Sequence, residues 1–236
     1  MSQLALDEQT ATTPSGIEVP LRVLLTGSMG SGKSFISSYL TRKHGAMRWS
    51  RTELMKRLAH AIADHIGDAD DILAKLFAAE DERAQVLAEL LAYMDTYAPE
   101  PGKPRRLYQD ITQICQDHDP LCFERELAQR IESVGVAGFS LIDDVRSRDA
   151  FDFFAAHRYI TVRVEADEKV RRQRMLDRDG YLPSEATFAH PSETELAGAA
   201  HDYCINNDGD DADELYARVD ELVARMRADS AARARS

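Results

Sequence analysis

The stretch LLTGSMGSGKS, residues 24–34, decides the fold of this 236-residue chain. It fits the spacing G-x-x-x-x-G-K-[ST], in which the spaced glycines are Gly27 and Gly32. Glycine permits positive φ angles and close backbone approach, so consecutive N–H groups can point into one concavity that suits a phosphate. The sequence therefore predicts a phosphate-binding loop that consists of Gly27, Ser28, Met29, Gly30, Ser31, Gly32, Lys33 and Ser34.

The residues on either side of this loop have the patterns of a strand and a helix. LRVLLT (21–26) is a short apolar run typical of a buried strand, and SFISSYLTRKHG (34–45) carries apolar residues at helical spacing up to Gly45. In that context Lys33 is expected to reach the β- and γ-phosphates of a nucleoside triphosphate. Ser34 is expected to hold one position on Mg²⁺.

Composition limits the kind of protein. The chain has 41 acidic and 29 basic residues, a net charge of −12, which disfavours a broad nucleic-acid surface. It still permits a small anion in a local arginine pocket. The three cysteines lack metal-site spacing and suit a reduced, cytoplasmic chain, with Cys115 and Cys122 expected to pack in helices. No apolar run approaches the length of a membrane span and no leader opens the chain, so neither a membrane location nor secretion is expected.

Beyond the loop, apolar runs alternate with helical patterns. Strands are predicted at 46–50, 138–144, 158–166 and 202–206, and helices at 52–66, within 70–97 as one broken helix or a pair, and at 105–116, 120–134, 167–178 and 212–226. Such alternation favours an α/β fold with a parallel sheet and helices on both faces. One domain is expected over 20–228, between a flexible lead-in at 1–19 and a flexible tail at 229–236. The helical block of this domain, about 52–135, is expected to be an insertion that covers the substrate, since ligands bind at the carboxyl ends of the strands.

Two acids end the third strand, in LIDDV (141–145). A carboxylate that leaves an apolar strand beside a phosphate-binding loop is the usual second anchor for Mg²⁺. Asp143 comes first and Asp144 follows, and side chains alternate along a strand, so only one of the two can face the site. The spacing alone leaves open which one does.

An arginine-rich helix follows the fourth strand, in DEKVRRQRMLDR (167–178). Arg171, Arg174 and Arg178 share one helical face, whereas Arg172 points elsewhere and is expected at the surface. Guanidinium groups can stabilise the negative charge of a phosphoryl group during its transfer. We therefore interpret this face as part of a catalytic lid over about 167–195. The alternative is a solvated face paired with the acids of the same helix.

A further basic cluster lies in GKPRRLYQDI (102–111). Lys103, Arg105 and Arg106 open a predicted helix, whose N-terminus already favours anions. Gln109 follows on the face of Arg106 and offers both donors and an acceptor to a nucleobase edge. We assign Arg106 and Gln109, with Lys56 of the helix at 52–66, to the binding of a phosphoryl acceptor. The alternative is a solvated helix start.

Taken in order along residues 20–226, these segments resemble the bacteriophage-type deoxynucleoside monophosphate kinases, a family within the adenylate-kinase-like phosphotransferases. The segments are GSMGSGKS, RRLYQDIT, LIDDVRSR, the arginine helix, AHPSET (189–194) and CINNDGDDADEL (204–215). The resemblance implies transfer of the ATP γ-phosphate, with Mg²⁺, to a nucleoside 5′-monophosphate. It also implies a five-stranded parallel sheet and a mobile lid.

The resemblance also assigns individual residues. It favours Asp144 over Asp143 for the metal side, and it places Arg146 with Arg106 and Gln109 at the acceptor. It places Asn206 near the donor adenine, and His190, Ser192 and Glu193 match the family's His-Pro-Ser-Glu. Residues 147–150 and Thr112–Gln113 depart from the family pattern, which leaves the identity of the acceptor open.

Three other interpretations share parts of this pattern. They are a dephospho-coenzyme A kinase, a kinase of hydroxymethylated pyrimidines in DNA, and a regulatory module that binds nucleotide without transferring phosphate. Asp-Val-Arg (144–146) disfavours the first, the net charge disfavours the second, and the second cationic cluster around Arg106 disfavours the third. The oligomeric state is undecided by the sequence, which is compatible with a homodimer.

Overall fold

The computed structural model describes residues 19–63, 68–98, 104–134, 138–182, 184–188 and 194–234. Within these ranges the strands are β1 (Leu21–Thr26), β2 (Met47–Trp49), β3 (Phe139–Ile142), β4 (Ile160–Glu165) and β5 (Tyr203–Asn206). The helices are α1 (Lys33–His44), α2 (Arg51–Ala63), α3 (Asp68–Leu76), α4 (Glu80–Thr96), α5 (Arg105–His118), α6 (Cys122–Ser133), α7 (Arg148–Ala156), α8 (Glu168–Asp179), α9 (Glu185–Phe188) and α10 (Ala212–Arg233).

The strands form one parallel sheet in the order β2-β3-β1-β4-β5. Val23 of the central strand lies in register between Leu141 of β3 and Ile160 of β4. Because every strand runs the same way, all five carboxyl ends meet at one edge of the sheet. The phosphate-binding loop leaves β1 at that edge, and its neighbours there are the ends of β3 and β4.

Helices cover both faces of the sheet, which confirms the predicted fold class. On one face, α1 and α10 pack onto β1, β3, β4 and β5, with Leu40 and Val219 among the buried contacts. On the other face, α6 and α7 pack onto β1 and β3, with Ile131 and Phe154 in the core. Burial of these apolar surfaces stabilises the packing of helices on the sheet. The gain in free energy is about 25 cal/mol per Å² of apolar surface removed from water.

The helical block between β2 and β3 has a core of its own. Apolar side chains of α2 to α6 form this cluster, among them Leu58, Leu73 and Ile111. Cys115 and Cys122 belong to it, as the sequence predicts, whereas Cys204 of β5 is exposed. The 70–97 segment is a pair of helices, α3 and α4, whose buried residues pack into this block.

Three elements differ from the sequence-based expectation, and one of them is the four-residue helix α9, which the sequence analysis did not predict. α7 is a short helix that the sequence analysis did not predict; its start is capped by Ser147, whose side chain accepts from the N–H of Ala150 at 3.4 Å. α10 continues to Arg233, past the predicted end at 226 and into the predicted flexible tail. Long-range contacts explain the extension, since Arg233 bonds Asp202 at 2.6 Å. The lead-in at 1–18 lies outside the described residues.

None of the helices in the described ranges combines the length and the apolar character needed to cross a membrane. The cytoplasmic location and the homodimer stay predictions.

Candidate active site

The phosphate-binding loop is pressed against two neighbouring elements. Gly27 has a φ of +145°, and a Cβ at this position would collide with the carbonyl oxygen of Val164 in β4. Gly30 has a φ of +78°, and a Cβ there would lie 2.7 Å from the carbonyl oxygen of Arg171 in α8. Any larger residue would move the loop, because both obstructing atoms are backbone. Gly27 and Gly30 are therefore required for the close packing of the loop against β4 and α8 as well as for its positive φ angles.

Lys33 and Ser34 lie at the start of α1, as the sequence predicts. The Lys33 ammonium donates to the carbonyl oxygens of Gly27 and of Ser28, the latter at 3.2 Å, so its charge lies over the loop. Ser34 is exposed in the first turn. Both residues thus end the loop, and the Lys33 ammonium is held against it.

Asn207 is a structural residue of this site that the sequence analysis missed. Its buried side chain donates to the carbonyl oxygen of Ser31 at 2.8 Å, and its N–H donates to that of Glu165 at 2.7 Å. It thereby ties the loop to the ends of β4 and β5. The doublet Asn206–Asn207 is the available signal, since side chains of consecutive residues at a strand end point in opposite directions.

A cavity of about 280 Å³, which we call the loop cavity, opens between the loop and the ends of β4 and β5. Its walls include Ser28, Ser31, Arg171 and the predicted Asn206. The Ser31 hydroxyl is buried and has no hydrogen-bond partner in the described protein. A buried hydroxyl normally has one, so a phosphate oxygen in this cavity would complete it.

The loop cavity also contains acids, and each of them is engaged. Glu165 pairs with Arg163 at 3.1 Å, and the Asp167 side chain caps α8 by accepting from the N–H of Lys169 at 3.0 Å. Asp208 accepts from the Asp167 N–H, which lowers the pKa of Asp208 below its ordinary value. Each of these acids is thus held by a donor of the protein, and the donor of Glu165 is the cationic Arg163.

A second cavity of about 270 Å³, the aromatic cavity, lies on the other side of Asn207. It is bordered by Gly32, Phe35, Arg174 and the turn at 209–212. The Phe35 ring is 44% exposed and stacks on Tyr216, with ring centroids 5.4 Å apart. An exposed aromatic face beside a phosphate loop suits a flat, apolar ring such as a nucleobase.

The three arginines of α8 have separate partners. Arg171 donates to the carbonyl oxygen of Met29 at 3.3 Å, Arg174 to those of Asn207 at 2.7 Å and Gly209 at 2.9 Å, and Arg178 pairs with Asp179 at 2.6 Å. The three guanidinium groups thus lie at three different places along α8, and their joint role in a closed lid stays a prediction. Arg171 lies at the phosphate-binding loop and Arg174 at the aromatic cavity, whereas Arg178 is paired at the exposed end of the helix.

Arg172 differs from the simple surface residue that the sequence predicts. It bonds both Glu168 and Glu185 at 2.8 Å, and its guanidinium lies 4.2 Å from the ring centroid of Phe188. The Glu185 hydrogen bonds raise the pKa of Arg172. This residue connects α8 to α9 inside the predicted lid segment. His190, Ser192 and Glu193 of that segment lie outside the described residues.

Asp143 and Asp144 face opposite ways, as the alternation predicts. Asp143 is buried and accepts from Ser37 of α1 at 2.5 Å and from Arg48 at 2.9 Å. Asp144 accepts three donors through Oδ2, among them Ser50 at 2.6 Å and Thr52 Oγ1 at 2.8 Å. Its Oδ1 is buried with no partner in the described protein. Both oxygens of Asp143 are thus in use, whereas Asp144 retains one acceptor.

The residues assigned to the acceptor lie apart. Arg146 is half-buried and lines a small cavity with Gly27 and Ser28, so the structure brings it to the loop. Arg106 is 67% exposed and pairs with Asp110 at 3.4 Å. Gln109 and Lys56 are exposed on α5 and α2. Lys103 and the side chain of Arg105 lie outside the described residues.

A histidine that the sequence analysis did not assign lies at the end of β1. His201 Nε2 is 2.7 Å from Thr26 Oγ1, and Nδ1 is 2.8 Å from the carbonyl oxygen of Ala199. Burial lowers the pKa of His201 below its ordinary value. The neutral ring thus donates from Nδ1 and accepts the Thr26 hydroxyl at Nε2, directly before Gly27.

Among the described residues, no group of three or more His, Cys, Asp or Glu side chains is arranged to hold a metal ion. Mg²⁺ in phosphotransferases takes most of its ligands from phosphate oxygens and water, and needs only one or two from the protein. Ser34 and Asp144 are the two residues that the sequence analysis assigns to that role, and Asp144 has one oxygen without a partner in the described protein.

No family model matches the sequence, and comparison with curated proteins gives no match. Among solved structures, the protein TT1252 of Thermus thermophilus is 21% identical, with a TM-score of 0.49 over 87% of this chain and 97% of that one. An uncharacterized protein of Eubacterium ventriosum is 12% identical, with a TM-score of 0.43 over 87% and 98%. A sugar kinase of Janibacter is 17% identical, with a TM-score of 0.43 over 84% and 92%. Likenesses at this level carry no inference about what this chain binds.

Proposed function

We propose that the chain transfers the γ-phosphate of ATP to a (deoxy)nucleoside 5′-monophosphate. The observation that carries the proposal is the phosphate-binding loop itself, held in a concave form between β4, α8 and Asn207, with Lys33 over it. Two cavities adjoin the loop on the β4–β5 side. The loop cavity suits the phosphates of ATP, and the aromatic cavity suits its base.

Catalysis of phosphoryl transfer rests on positioning and on compensation of charge. Lys33 would exchange its bonds to the loop carbonyl oxygens for the β- and γ-phosphates. Arg171, at the rim of the loop cavity, would stabilise the negative charge of the phosphoryl group as it is transferred. Arg174 would brace the turn that borders the aromatic cavity, and Arg178 would join only after a movement of α8.

Mg²⁺ would be held by Ser34 and by Asp144, through the oxygen that has no protein partner. When bound, it neutralises phosphate charge and fixes the orientation of the triphosphate. Asp143 would support the site without binding the metal, because its carboxylate joins the end of β3 to Ser37 of α1.

The acceptor would enter on the other side of the loop, at the ends of β2 and β3. Arg146 is placed to meet its phosphate, since it shares a cavity wall with the loop. Arg106, Gln109 and Lys56 would contribute only if the exposed side of the helical block closed over the acceptor. Such closure would exclude water and protect the γ-phosphate from hydrolysis.

The proposal is tested by ADP release from ATP and Mg²⁺ with separate acceptors. The arms are each deoxynucleoside and ribonucleoside monophosphate, dephospho-coenzyme A, DNA that contains hydroxymethylpyrimidine, and no acceptor. We expect turnover with one or more monophosphates and a low rate without acceptor. Turnover with another acceptor alone would assign a different kinase. ATP binding without turnover in any arm would favour a regulatory module.

A further inference from the structure

Buried polar atoms without partners concentrate at the junction of β2 and α2. In the described residues nine buried side-chain nitrogen or oxygen atoms have no hydrogen-bond partner, and six of them lie here. We call these six residues the junction network: Trp49, Arg51, Glu124, Glu126, Arg130 and Asp144. Buried polar groups are nearly always paired in folded proteins, so a cluster of unpaired atoms needs an explanation.

The first half of the network is joined by direct bonds. Arg51 donates through one terminal nitrogen to Glu124 at 2.7 Å, which leaves Arg51 Nε and Glu124 Oε2 without partners. Ser50 and Thr52, on either side of Arg51, both bond Asp144. The segment Ser50–Thr52 therefore holds Glu124 of α6 and Asp144 after β3 around one point.

The second half adjoins the same segment. Arg130 of α6 donates to the carbonyl oxygen of Ser50 at 3.4 Å, and its guanidinium lies 5.7 Å from the ring centroid of Trp49. Glu126 is 3.7 Å from Arg130. The unpaired atoms here are Trp49 Nε1, Arg130 Nε and Glu126 Oε2. Because Asp144 Oδ1 is the oxygen proposed above for Mg²⁺, the network offers a ligand three donors and two acceptors, Glu124 Oε2 and Glu126 Oε2.

The charges of the network exclude a phosphate as its natural ligand. Two guanidinium groups face three carboxyl groups, so a further anion would meet no excess of positive charge. Burial raises the pKa of Glu126, with Arg130 opposing the effect. The network instead suits an uncharged group that carries donors and acceptors together.

The position of the network is on the acceptor side. It surrounds the ends of β2 and β3, whereas the loop and aromatic cavities adjoin β1, β4 and β5. Asp144 is followed by Val145 and Arg146, which line a cavity with Gly27. A ligand whose phosphate lay at Arg146 would therefore reach the network with its other end.

We infer that Arg51 and Glu124 form hydrogen bonds with the nucleobase edge of the acceptor and so select the base. The inference rests on the proposed function, since it supplies the base-recognition site for the same acceptor. Base edges present N–H donors beside acceptor atoms, which match Glu124 Oε2 and Arg51 Nε. Glu124 is fully buried and Arg51 is 15% exposed, whereas Gln109, the candidate from sequence, is exposed. These two side chains determine which base is accepted.

The test uses the full 236-residue chain with Glu124→Gln. The variant keeps the size of the side chain and replaces one acceptor by a donor. We expect the ratio of kcat/KM between the best and the worst deoxynucleoside monophosphate to change about tenfold or more, because a site built on hydrogen bonds discriminates strongly. The KM for ATP should stay within about twofold. Arg51→Lys, which removes Nε–H and keeps the charge, should shift the same ratio.

Asp202→Asn is the matched control. Asp202 accepts from Thr161 and Arg233 on the β4–β5 side of the sheet, whereas the junction network lies at the ends of β2 and β3. It should lower Tm and leave base preference unchanged. If Glu124→Gln and Arg51→Lys behave in the same way as the control, the network is structural or filled by water, and the inference is overturned.

A binding measurement separates this inference from the proposed function. Calorimetry with nucleosides that lack phosphate needs no phosphoryl transfer. Binding to the wild type that Glu124→Gln weakens about tenfold would support the inference even if no monophosphate were phosphorylated. If the wild type phosphorylates monophosphates but the variants keep its base preference, the inference fails and the proposed function stands. If no nucleoside binds and no monophosphate reacts, both fail.

Discussion

The donor side and the acceptor side of the candidate site are built from different kinds of contact. On the donor side the key side chains bond backbone carbonyl oxygens: Lys33 those of Gly27 and Ser28, Asn207 that of Ser31, and Arg171 that of Met29. On the acceptor side several contacts join side chain to side chain, as between Arg51 and Glu124, and six buried atoms there are unpaired, compared with the Ser31 hydroxyl at the loop.

This difference has a functional consequence. A loop held through its backbone presents N–H groups that bind any phosphate, so the donor side is suited to a common chemistry. A buried network of side chains is specific to its partner, because each unpaired atom demands a particular donor or acceptor. We therefore expect substitutions on the donor side to reduce turnover for every acceptor, and substitutions in the network to change the acceptor preferred.

The largest effect is expected for Lys33→Ala, which removes the charge at the phosphate-binding loop. The barrier should rise by about 3 kcal/mol or more, or at least about 100-fold in rate, for every acceptor. Steady-state turnover and Tm are the measurements. Lys43→Ala, on the exposed end of the same helix, is the control. Loss of folding, or turnover within about threefold of the wild type, would remove Lys33 from the site.

The second test concerns the consecutive acids Asp143 and Asp144, which lie where the donor side and the acceptor side meet. Asp144→Asn should lower Mg²⁺-dependent turnover by roughly 10- to 100-fold, about 1.4–2.7 kcal/mol of barrier, because it removes charge from the acid with a free oxygen. Asp143→Asn should instead lower stability by about 1–3 kcal/mol, because Asp143 is buried between Ser37 and Arg48.

Mg²⁺ titrations of turnover and denaturant unfolding of both variants separate these effects. A greater loss of Mg²⁺ dependence in Asp143→Asn would make Asp143 the metal-side carboxylate.

The third test ranks the arginines of α8 within the donor side. Arg171→Gln should lower kcat by roughly tenfold, about 1.4 kcal/mol, because its guanidinium contacts the loop at Met29. Arg174→Gln should raise the KM for ATP more than it lowers kcat, since Arg174 holds the turn beside the aromatic cavity. Arg178→Gln should have the smallest effect of the three. Equal losses of kcat in all three would indicate that α8 closes and brings them together.

The smallest effect is expected at His201, behind the loop. Burial holds the pKa of its imidazole below the unfolded value of about 6.5, so the unfolded chain binds the proton more readily. The stability that this histidine contributes is present above that value and is lost as pH falls below it. The Tm of the wild type should therefore decline between pH 7 and pH 5.5 by more than that of His201→Gln. Parallel curves for the two proteins would show that His201 does not titrate in this range.

Much of the fold follows from local pattern. Strand and helix periodicities predict all five strands to within about two residues at each end, and they predict most of the helices. α7 and the four-residue α9 are the exceptions. The nine residues of α7 are stabilised by Phe151 and Phe154 against the sheet, a packing that a short pattern does not reveal. The end of α10 was missed for the same reason, since Arg233 is held by Asp202 from a distant part of the chain.

By itself the sequence determined the phosphate-binding loop and the opposed directions of Asp143 and Asp144. Both follow from spacing within a few residues, where backbone geometry leaves little choice. Only the tertiary structure decided the partners of Arg171 and Arg174, the role of Asn207 and the pairing of Arg51 with Glu124. Those contacts join residues that are 33 to 176 positions apart, and their geometry depends on how the sheet and helices pack. Apart from the Asn206–Asn207 doublet, no local pattern indicates these contacts, because each side chain alone is typical of an ordinary surface or helix residue.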